Sequence, residues 1–280
     1  MSAWYKNHLE RFGEVGLENP EALLELKQQL EPFSPEDPEV SVVIPAWNEE
    51  KGILPTLASL AATTTRLRVE IIVINNNSTD RTQQLLDRLG VRNYFQPQQG
   101  IAYARQLGLD KAKGKYHLCA DSDTLYPPAW IDTMVKPMRD SEEIVGVYGR
   151  YSFIPAPGES RLWYRVYECL TGFVVRRRRK RQEYINVLGF NMGFVRDVAR
   201  ETPGFAVINA RKFDNAIGSA DHVHESEDGR MAVRLKEKGK LCLVTSGKAR
   251  VFTSSRRLQA EGGLLRSFAA RFKAYAGRLF

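Results

Sequence analysis

The chain has 280 residues, 43% of them hydrophobic and 26% charged, an ordinary balance for a folded protein with one large core or two smaller ones. Lys and Arg number 41 against 33 Asp and Glu, and the formal charge of +8 favours acidic partners such as phosphates, anionic lipid or nucleic acid. Cys119, Cys169 and Cys242 are too few and too scattered for a disulfide framework or a zinc site, and no apolar run approaches the roughly 20 residues that span a bilayer. The first residues, Met1 to Lys6, lack the basic-then-apolar profile of a secretory signal. The expectation is a cytoplasmic chain whose contact with a membrane is peripheral.

In chain order, residues 1–39 predict a helical lead-in. Ala22, Leu23, Leu26 and Leu30 share one face after Pro20, and Pro32, Pro35 and Pro38 end the pattern. The period then changes. Val40 to Ile44 reads as a buried strand, Glu49 to Ala62 as a helix, Ile71 to Ile74 as a second strand and Thr79 to Leu89 as a second helix. Tyr94-Phe95 marks a short third strand, Ile101 to Ala112 a third helix and Tyr116 to Ala120 a fourth strand. Strands alternating with helices predict a parallel sheet with right-handed crossovers, whose ligands sit outside the carboxyl ends of the strands. Trp47-Asn48-Glu49, Asn75-Asn76-Asn77 and Asp121-Ser122-Asp123 all fall at those ends.

Asp121 and Asp123 are the most informative pair. Two carboxylates one residue apart, at the end of a parallel strand, suit a hard divalent cation that in turn holds a nucleotide diphosphate. A lone D-x-D also occurs as a solvated acidic turn, so the other segments decide. The first turn, Pro45-Ala46-Trp47-Asn48-Glu49, has no glycine, which excludes the dinucleotide fingerprint and the P-loop.

Taken in order, Val42-Val43-Ile44-Pro45-Ala46-Trp47-Asn48-Glu49-Glu50, Ile74-Asn75-Asn76-Asn77-Ser78-Thr79-Asp80, Gly100-Ile101-Ala102-Tyr103-Ala104-Arg105-Gln106, Asp121-Ser122-Asp123, Gly189-Phe190-Asn191-Met192-Gly193-Phe194 and Glu227-Asp228 make a set. That set resembles the family 2 glycosyltransferases, inverting enzymes with the GT-A fold, over residues 40–257. The resemblance implies an α/β architecture: a Rossmann-like nucleotide-sugar half with a mostly parallel central sheet (40–125), continuous with an acceptor half (126–257). The lead-in 1–39 precedes it and an amphipathic helix over 258–280 follows.

The resemblance also implies roles. Pro45, Ala46, Trp47, Glu49, Asn76, Arg105, Asp121, Ser122 and Asp123 would bind the donor nucleotide. Trp47 would stack on the base, and Glu49 would accept from base or ribose. Asn76, where the family usually has Asp, would accept the base N–H without adding charge. Arg105 would reach a phosphate. Asp123 would ligate the cation directly and Asp121 through water or by way of the ribose, with all-oxygen ligation pointing to Mn²⁺ or Mg²⁺. Arg256 and Arg257 would clamp the diphosphate. Asp228 is the expected general base, with Glu225 as the alternative, and Asn191, Met192 and Glu227 would face the acceptor. Arg230 stands where the family often has a second acid. His222 and His224 are not read as metal ligands. The implied donor is a UDP-sugar, or a GDP-sugar.

Two segments bear on the acceptor. Arg176 to Arg181 is an unbroken basic run beside Leu162-Trp163-Tyr164 and Gly172-Phe173-Val174-Val175, which suits anionic headgroups. At 100° per residue Leu264, Leu265, Phe268, Ala269, Phe272, Tyr275, Ala276 and Leu279 fill one arc, bordered by Arg266, Arg271, Lys273 and Arg278. That pattern serves a helix packed on the core or one lying in a membrane surface, and the bordering cations predict the second. The expectation is a peripheral enzyme on the inner face of the cytoplasmic membrane, acting on a hydroxyl of a lipid-linked or surface-glycoconjugate acceptor. Two competing readings are a non-catalytic nucleotide-binding homologue, motivated by Asn76 and Arg230, and a basic nucleic-acid-binding protein. The second leaves the ordered carboxylates unexplained, so nucleic acid is not an expected partner.

Overall fold

The structure is a computed structural model that describes residues 4–155, 159–178, 183–206, 226–256 and 259. Its central sheet has seven strands in the order β3-β2-β1-β4-β8-β6-β9. Strand β1 (Val40–Ala46) is buried along its whole length, between β2 (Val69–Asn75) and β4 (Tyr116–Cys119), and pairs parallel with both. A strand covered on both faces reads as a nearly continuous apolar run, broken here only by Ser41, which is why Val40 to Ile44 was legible as a strand. Strand β3 (Arg92–Phe95) extends the sheet parallel to β2. On the other side β8 (Met192–Val195) runs antiparallel to both β4 and β6 (Ile144–Gly149), and β9 (Lys240–Val244) pairs parallel with β6.

Leaving β1, the chain moves outward through β2 and β3, then returns to the opposite side of β1 as β4. The strand order therefore reverses between β1 and β4, and a crevice opens there at their carboxyl ends. The turns after these two strands hold Trp47 to Glu49 and Asp121 to Asp123.

Helix α1 (Trp4–Phe12) and helix α2 (Pro20–Leu30) pack on α3 (Ile53–Ala61). Phe12, Leu23, Leu26 and Leu30 join Leu54, Leu57 and the strand residues Val42, Ile44 and Val73 in one core. The lead-in is therefore part of the fold's main hydrophobic layer. Helix α4 (Thr82–Leu89) also lies against α2. The opposite face is covered by α5 (Ile101–Lys111), whose Gly108 lies so close to β1 that a Cβ there would fall 2.3 Å from Val43 Cγ1.

Helices α3 and α4 begin later than the sequence predicts, at Ile53 rather than Glu49 and at Thr82 rather than Thr79. The reason is a lattice between the two turns. Glu49 N–H donates to Thr82 Oγ1 at 2.9 Å, Glu50 N–H to Asp80 Oδ2 at 3.1 Å, and Thr79 N–H to Asn48 Oδ1 at 2.8 Å. Backbone donors that would sit in first helical turns are spent across the gap instead.

A second sheet of three strands, β5 (Thr124–Leu125), β10 (Val251–Ser254) and β7 (Tyr151–Ile154), has β10 in the middle. Helix α6 (Trp130–Asp140) follows β5, α7 (Arg161–Arg178) follows β7, α8 (Arg196–Arg200) follows β8, and α9 (Glu227–Lys238) precedes β9. The pairing of β10 with β5 matters most for the site. Ser254 N–H donates to Asp123 O at 3.1 Å, so the residues after β10 arrive directly at the acidic turn.

Candidate active site

Two guanidinium groups organise the crevice, and each gathers carboxylates from distant parts of the chain. Arg256, just past β10, donates from Nη2 to Glu49 Oε1 at 3.0 Å and to Asp123 Oδ2 at 3.2 Å. Glu49 is mostly buried, and burial pushes its carboxyl up to about 7; Arg256 works against the shift, while Asp123 and Asp121 add to it. A cation thus bridges Glu49 and Asp123.

Arg105, on α5, is only 3% exposed. Its Nη2 donates to Asp121 Oδ1 at 2.9 Å, and its Nε lies 3.3 Å from Asp228 Oδ1 and 3.9 Å from Glu227 Oε1. Burial alone would lower the proton affinity of this guanidinium, but Asp228 and Asp121 outweigh it and drive the net shift upward. One positive charge faces three carboxylates, so negative charge is in surplus. Asp228 shows the result: burial pushes it from 3.8 up to about 7, Arg105 opposes the shift, and Glu227 and Asp121 reinforce it.

Asp228 sits in the first turn of α9, which Ser226 caps by accepting from Gly229 N–H at 3.1 Å. Its Oδ2 accepts from Gly189 N–H at 2.7 Å. Its Oδ1, though ion-paired, makes no hydrogen bond among the described residues. Gly189 is required here because a Cβ would fall 2.1 Å from Arg105 Nη2 and 2.3 Å from Asp228 Oδ1.

The acidic turn is fixed from behind by groups that the sequence did not single out. Tyr126 Oη accepts from Asp121 N–H at 2.9 Å and donates to Phe190 O at 3.0 Å, and Thr56 Oγ1 donates to Ser122 O at 2.8 Å. Tyr126 lies five residues past Asp121 inside an apolar stretch, where its ring reads only as core. Pro45 and Ala46 end β1 as buried strand residues, and Ala46 O accepts from Asn76 N–H at 2.8 Å. Trp47 is half-buried at the start of the crevice turn, and Asn48 beside it adopts a left-handed φ of 53°.

Several expectations need correction. Arg105 is not held out towards a phosphate, because its guanidinium is enclosed by the three carboxylates. Asn76 is fully buried: Oδ1 accepts from Gly100 N–H at 2.8 Å, and Nδ2 donates to Gln98 O at 2.7 Å and Gln96 O at 3.2 Å. It shapes the loop before α5 rather than reading a base. An Asp there would set a carboxylate against two carbonyl oxygens, which accounts for the amide.

Asn191 and Met192 do not face an acceptor either. Asn191 accepts from Trp130 Nε1 at 2.8 Å and donates to Arg150 O and Ala249 O, while Met192 packs among Tyr148, Phe194 and Met231. Asn191 closes the turn before β8 and Met192 opens the strand, which runs through the sheet between β4 and β6, and both side chains are buried. Glu227 does reach the crevice, through Arg105. Arg257, Glu225, His222, His224 and the C-terminal amphipathic segment lie outside the described residues.

From the buried Asn76 geometry, Asn76→Ala is expected to cost about 1–3 kcal/mol, since one donor and two acceptors lose their partner. Urea unfolding would show this as a lower midpoint with an unchanged slope. An unaltered midpoint would mean that water replaces the amide.

Comparison with known proteins agrees with the geometry. The structure resembles a mannosyltransferase from Pyrobaculum calidifontis, solved with GDP-Man and Mn²⁺, with a TM-score of 0.55 and 18% identity over 93% of this chain and 69% of that one. It also resembles glucosyl-3-phosphoglycerate synthase from Mycobacterium tuberculosis, solved with Mn²⁺, UDP and phosphoglyceric acid, with a TM-score of 0.53 and 19% identity over 90% and 81% of the two chains. These likenesses establish the GT-A fold. In sequence, 134 residues are 28% identical to the dolichol-phosphate mannosyltransferase of Saccharomyces cerevisiae, covering 45% of this chain and 49% of that protein. Over 127 residues the chain is also 27% identical to the glycosyltransferase GlyA of Streptococcus pneumoniae, covering 44% of this chain and 18% of that protein. The chain thus spans about half or less of the length of these relatives. Residues 41–202 match the profile described as glycosyl transferase family 2, a stretch that runs from β1 past the acidic turn to the end of α8. With that match over more than half of its length, the chain belongs to glycosyl transferase family 2.

Proposed function

We propose that this chain is a metal-dependent, inverting glycosyltransferase that moves a sugar from a nucleoside-diphosphate sugar, with UDP favoured over GDP, to a hydroxyl of a lipid-linked or membrane-glycoconjugate acceptor. The observation that carries this reading is the convergence of Glu49, Asp121, Asp123, Glu227 and Asp228 on two guanidinium groups at the switch point of the sheet. Asp228 is the proposed base. Its raised proton affinity and its Oδ1, which makes no hydrogen bond, suit a group that takes the acceptor hydroxyl's proton. As that oxygen bonds to the anomeric carbon, the bond from carbon to diphosphate oxygen breaks, and the nucleoside diphosphate leaves with the electron pair. A single displacement of this kind inverts the anomeric centre.

The residues present fit a hard divalent cation. Asp123 and Glu49 already share a positive charge, that of Arg256, and both offer carboxylate oxygens. Among the described residues no three His, Cys, Asp or Glu side chains form a ligand set. The protein would therefore supply one or two carboxylates, Asp123 first, and donor diphosphate oxygens would complete the shell. Once bound, Mn²⁺ or Mg²⁺ would neutralise charge on the departing diphosphate. Trp47 would stack on the base, and Arg256, drawn off its carboxylates, would clamp the diphosphate.

No helix of the described residues is long and apolar enough to cross a membrane. The lipid-linked acceptor is supported by the basic run from Arg176 to Arg181.

Thermal-shift titration with UDP, GDP and their sugar conjugates, with and without Mn²⁺, tests the donor half of this reading. At a ligand concentration of 100 times Kd, stability should rise by about 2.7 kcal/mol. The shift should need the metal and should vanish in Asp123→Ala. The absence of a shift with every nucleotide would overturn the assignment.

A further inference from the structure

Seven large apolar side chains are exposed among the described residues, and three of them fall within five positions of α7: Leu162 and Trp163, each 62% exposed, and Val166, 44% exposed. At 100° per residue these three and the exposed Cys169 share one face of the helix, with the exposed Arg165 at its border. The opposite face is pinned down. Tyr164 is buried against Phe153, and Glu168 accepts from Phe153 N–H at 2.9 Å, from Ser152 Oγ at 3.0 Å and from Arg161 Nη2 at 2.9 Å. The apolar stripe therefore cannot turn inward without breaking that anchorage.

Charge identifies what covers the stripe. Between residues 161 and 182 the sequence carries Arg161, Arg165, Arg176, Arg177, Arg178, Arg179, Lys180 and Arg181 against one acid, Glu168, and that acid is spent on β7 and Arg161. An apolar stripe with an indole, in a sequence segment this basic, suits a surface that is both anionic and oily, where tryptophan prefers the headgroup level. The helix also lies beside the strand that leads to the candidate site. The Arg161 guanidinium lies 5.9 Å from the ring centroid of Phe252 on β10, the strand that leads into Arg256.

We propose that the outer face of α7, formed by Leu162, Trp163, Val166 and Cys169 and bordered by Arg165, inserts into the headgroup layer of an anionic bilayer and holds the Arg256 rim of the site against it. This rests on the membrane-acceptor part of the proposed function and names the surface that makes the contact.

Flotation of the full chain with phosphatidylcholine vesicles, with or without phosphatidylglycerol, tests it together with quenching by brominated lipid. Wild type should float only with the anionic vesicles, and part of its tryptophan emission should be quenched. Trp163→Phe should float equally well and lose that quenching. Trp163→Asp should lower the partition coefficient at least about tenfold, while its thermal shift with nucleotide and Mn²⁺ matches wild type and shows an intact fold. Flotation of Trp163→Asp at the wild-type level, or quenching that survives Trp163→Phe, would overturn the proposal while leaving membrane contact standing. Failure of wild type to float would remove both the membrane acceptor and this surface. A concentration-dependent dimer that Trp163→Asp dissolves, without vesicle binding, would reassign the face to self-association. Loss of the nucleotide shift with flotation intact would count against the donor reading alone.

Discussion

Asp228→Asn is expected to lower kcat by about 10²–10⁴ while donor binding, read as a nucleotide-induced thermal shift, stays at the wild-type level. The amide keeps the shape of the carboxyl and can still accept from Gly189 N–H. It cannot take a proton from the acceptor. The pH profile gives a second reading of the same group. A base must be deprotonated to act, so transfer by wild type should rise with pH and level off above about 7, the value to which Asp228 is pushed. In Asp228→Asn that limb should disappear. Stability carries the opposite sign: a carboxyl whose folded proton affinity exceeds its unfolded value of 3.8 binds more protons in the native state. Its contribution therefore declines as pH rises from about 4 to about 7 and changes little beyond. Glu49, also raised to about 7, acts in the same direction. Transfer rates from pH 5 to 9, set beside urea midpoints over the same range, separate the two effects. Residual transfer within a few-fold of wild type would mean that Asp228 is not the base.

The second large effect belongs to Arg105. Arg105→Met should destabilise the protein by about 3–5 kcal/mol, the usual cost of removing one partner from a buried charge cluster. At about 2–4 °C per kcal/mol for a chain of this size, the melting point should drop on the order of 10 °C. The loss has a pH signature. Without the guanidinium, Asp228 loses the one charge that holds its proton affinity down, so its carboxylate is left against Glu227 and Asp121 and its protonation relieves the site. The deficit should be largest above pH 7 and shrink as pH falls towards 5. Combining Arg105→Met with Asp228→Asn should recover part of the stability, because one of the stranded charges is gone. A single variant with wild-type stability at pH 8 would show that water enters the cluster and replaces the arginine.

The parallel half of the fold was legible because its strands are buried on both faces. Ile71 to Ile74 holds no polar residue and Val40 to Ile44 only the small Ser41, which bonds to Glu70, and the punctuation between them is strong. The acidic turn and the acidic pair at the start of α9 were legible for a related reason. Asp121 and Asp123 stand where an apolar run ends, and Glu227 and Asp228 stand where a helical one begins. Partnership was not legible. Nothing in the spacing of Asn76 and Asn191 distinguishes a polar group that faces a crevice from one that ties a loop together, because both need the same atoms. The tie from Tyr126 to Asp121, the delayed starts of α3 and α4 and the arrival of Arg256 at Glu49 are contacts across 5 to 207 positions of chain. Local pattern has no access to them. Arg105 shows the limit most clearly: in the sequence its charge is read as reaching a phosphate, yet three acids from two later segments close over it.

That closure bears on how the protein can be taken apart. The cation sits before the acidic turn and Asp228 sits more than a hundred residues after it, while β8 threads the later segment back between β4 and β6. Each half would carry an unbalanced buried charge if made alone. Exchange of acceptor halves between relatives should therefore succeed only when Arg105, Gly189 and Asp228 travel as one inheritance unit, so that recombination within this scaffold is confined to its surface loops.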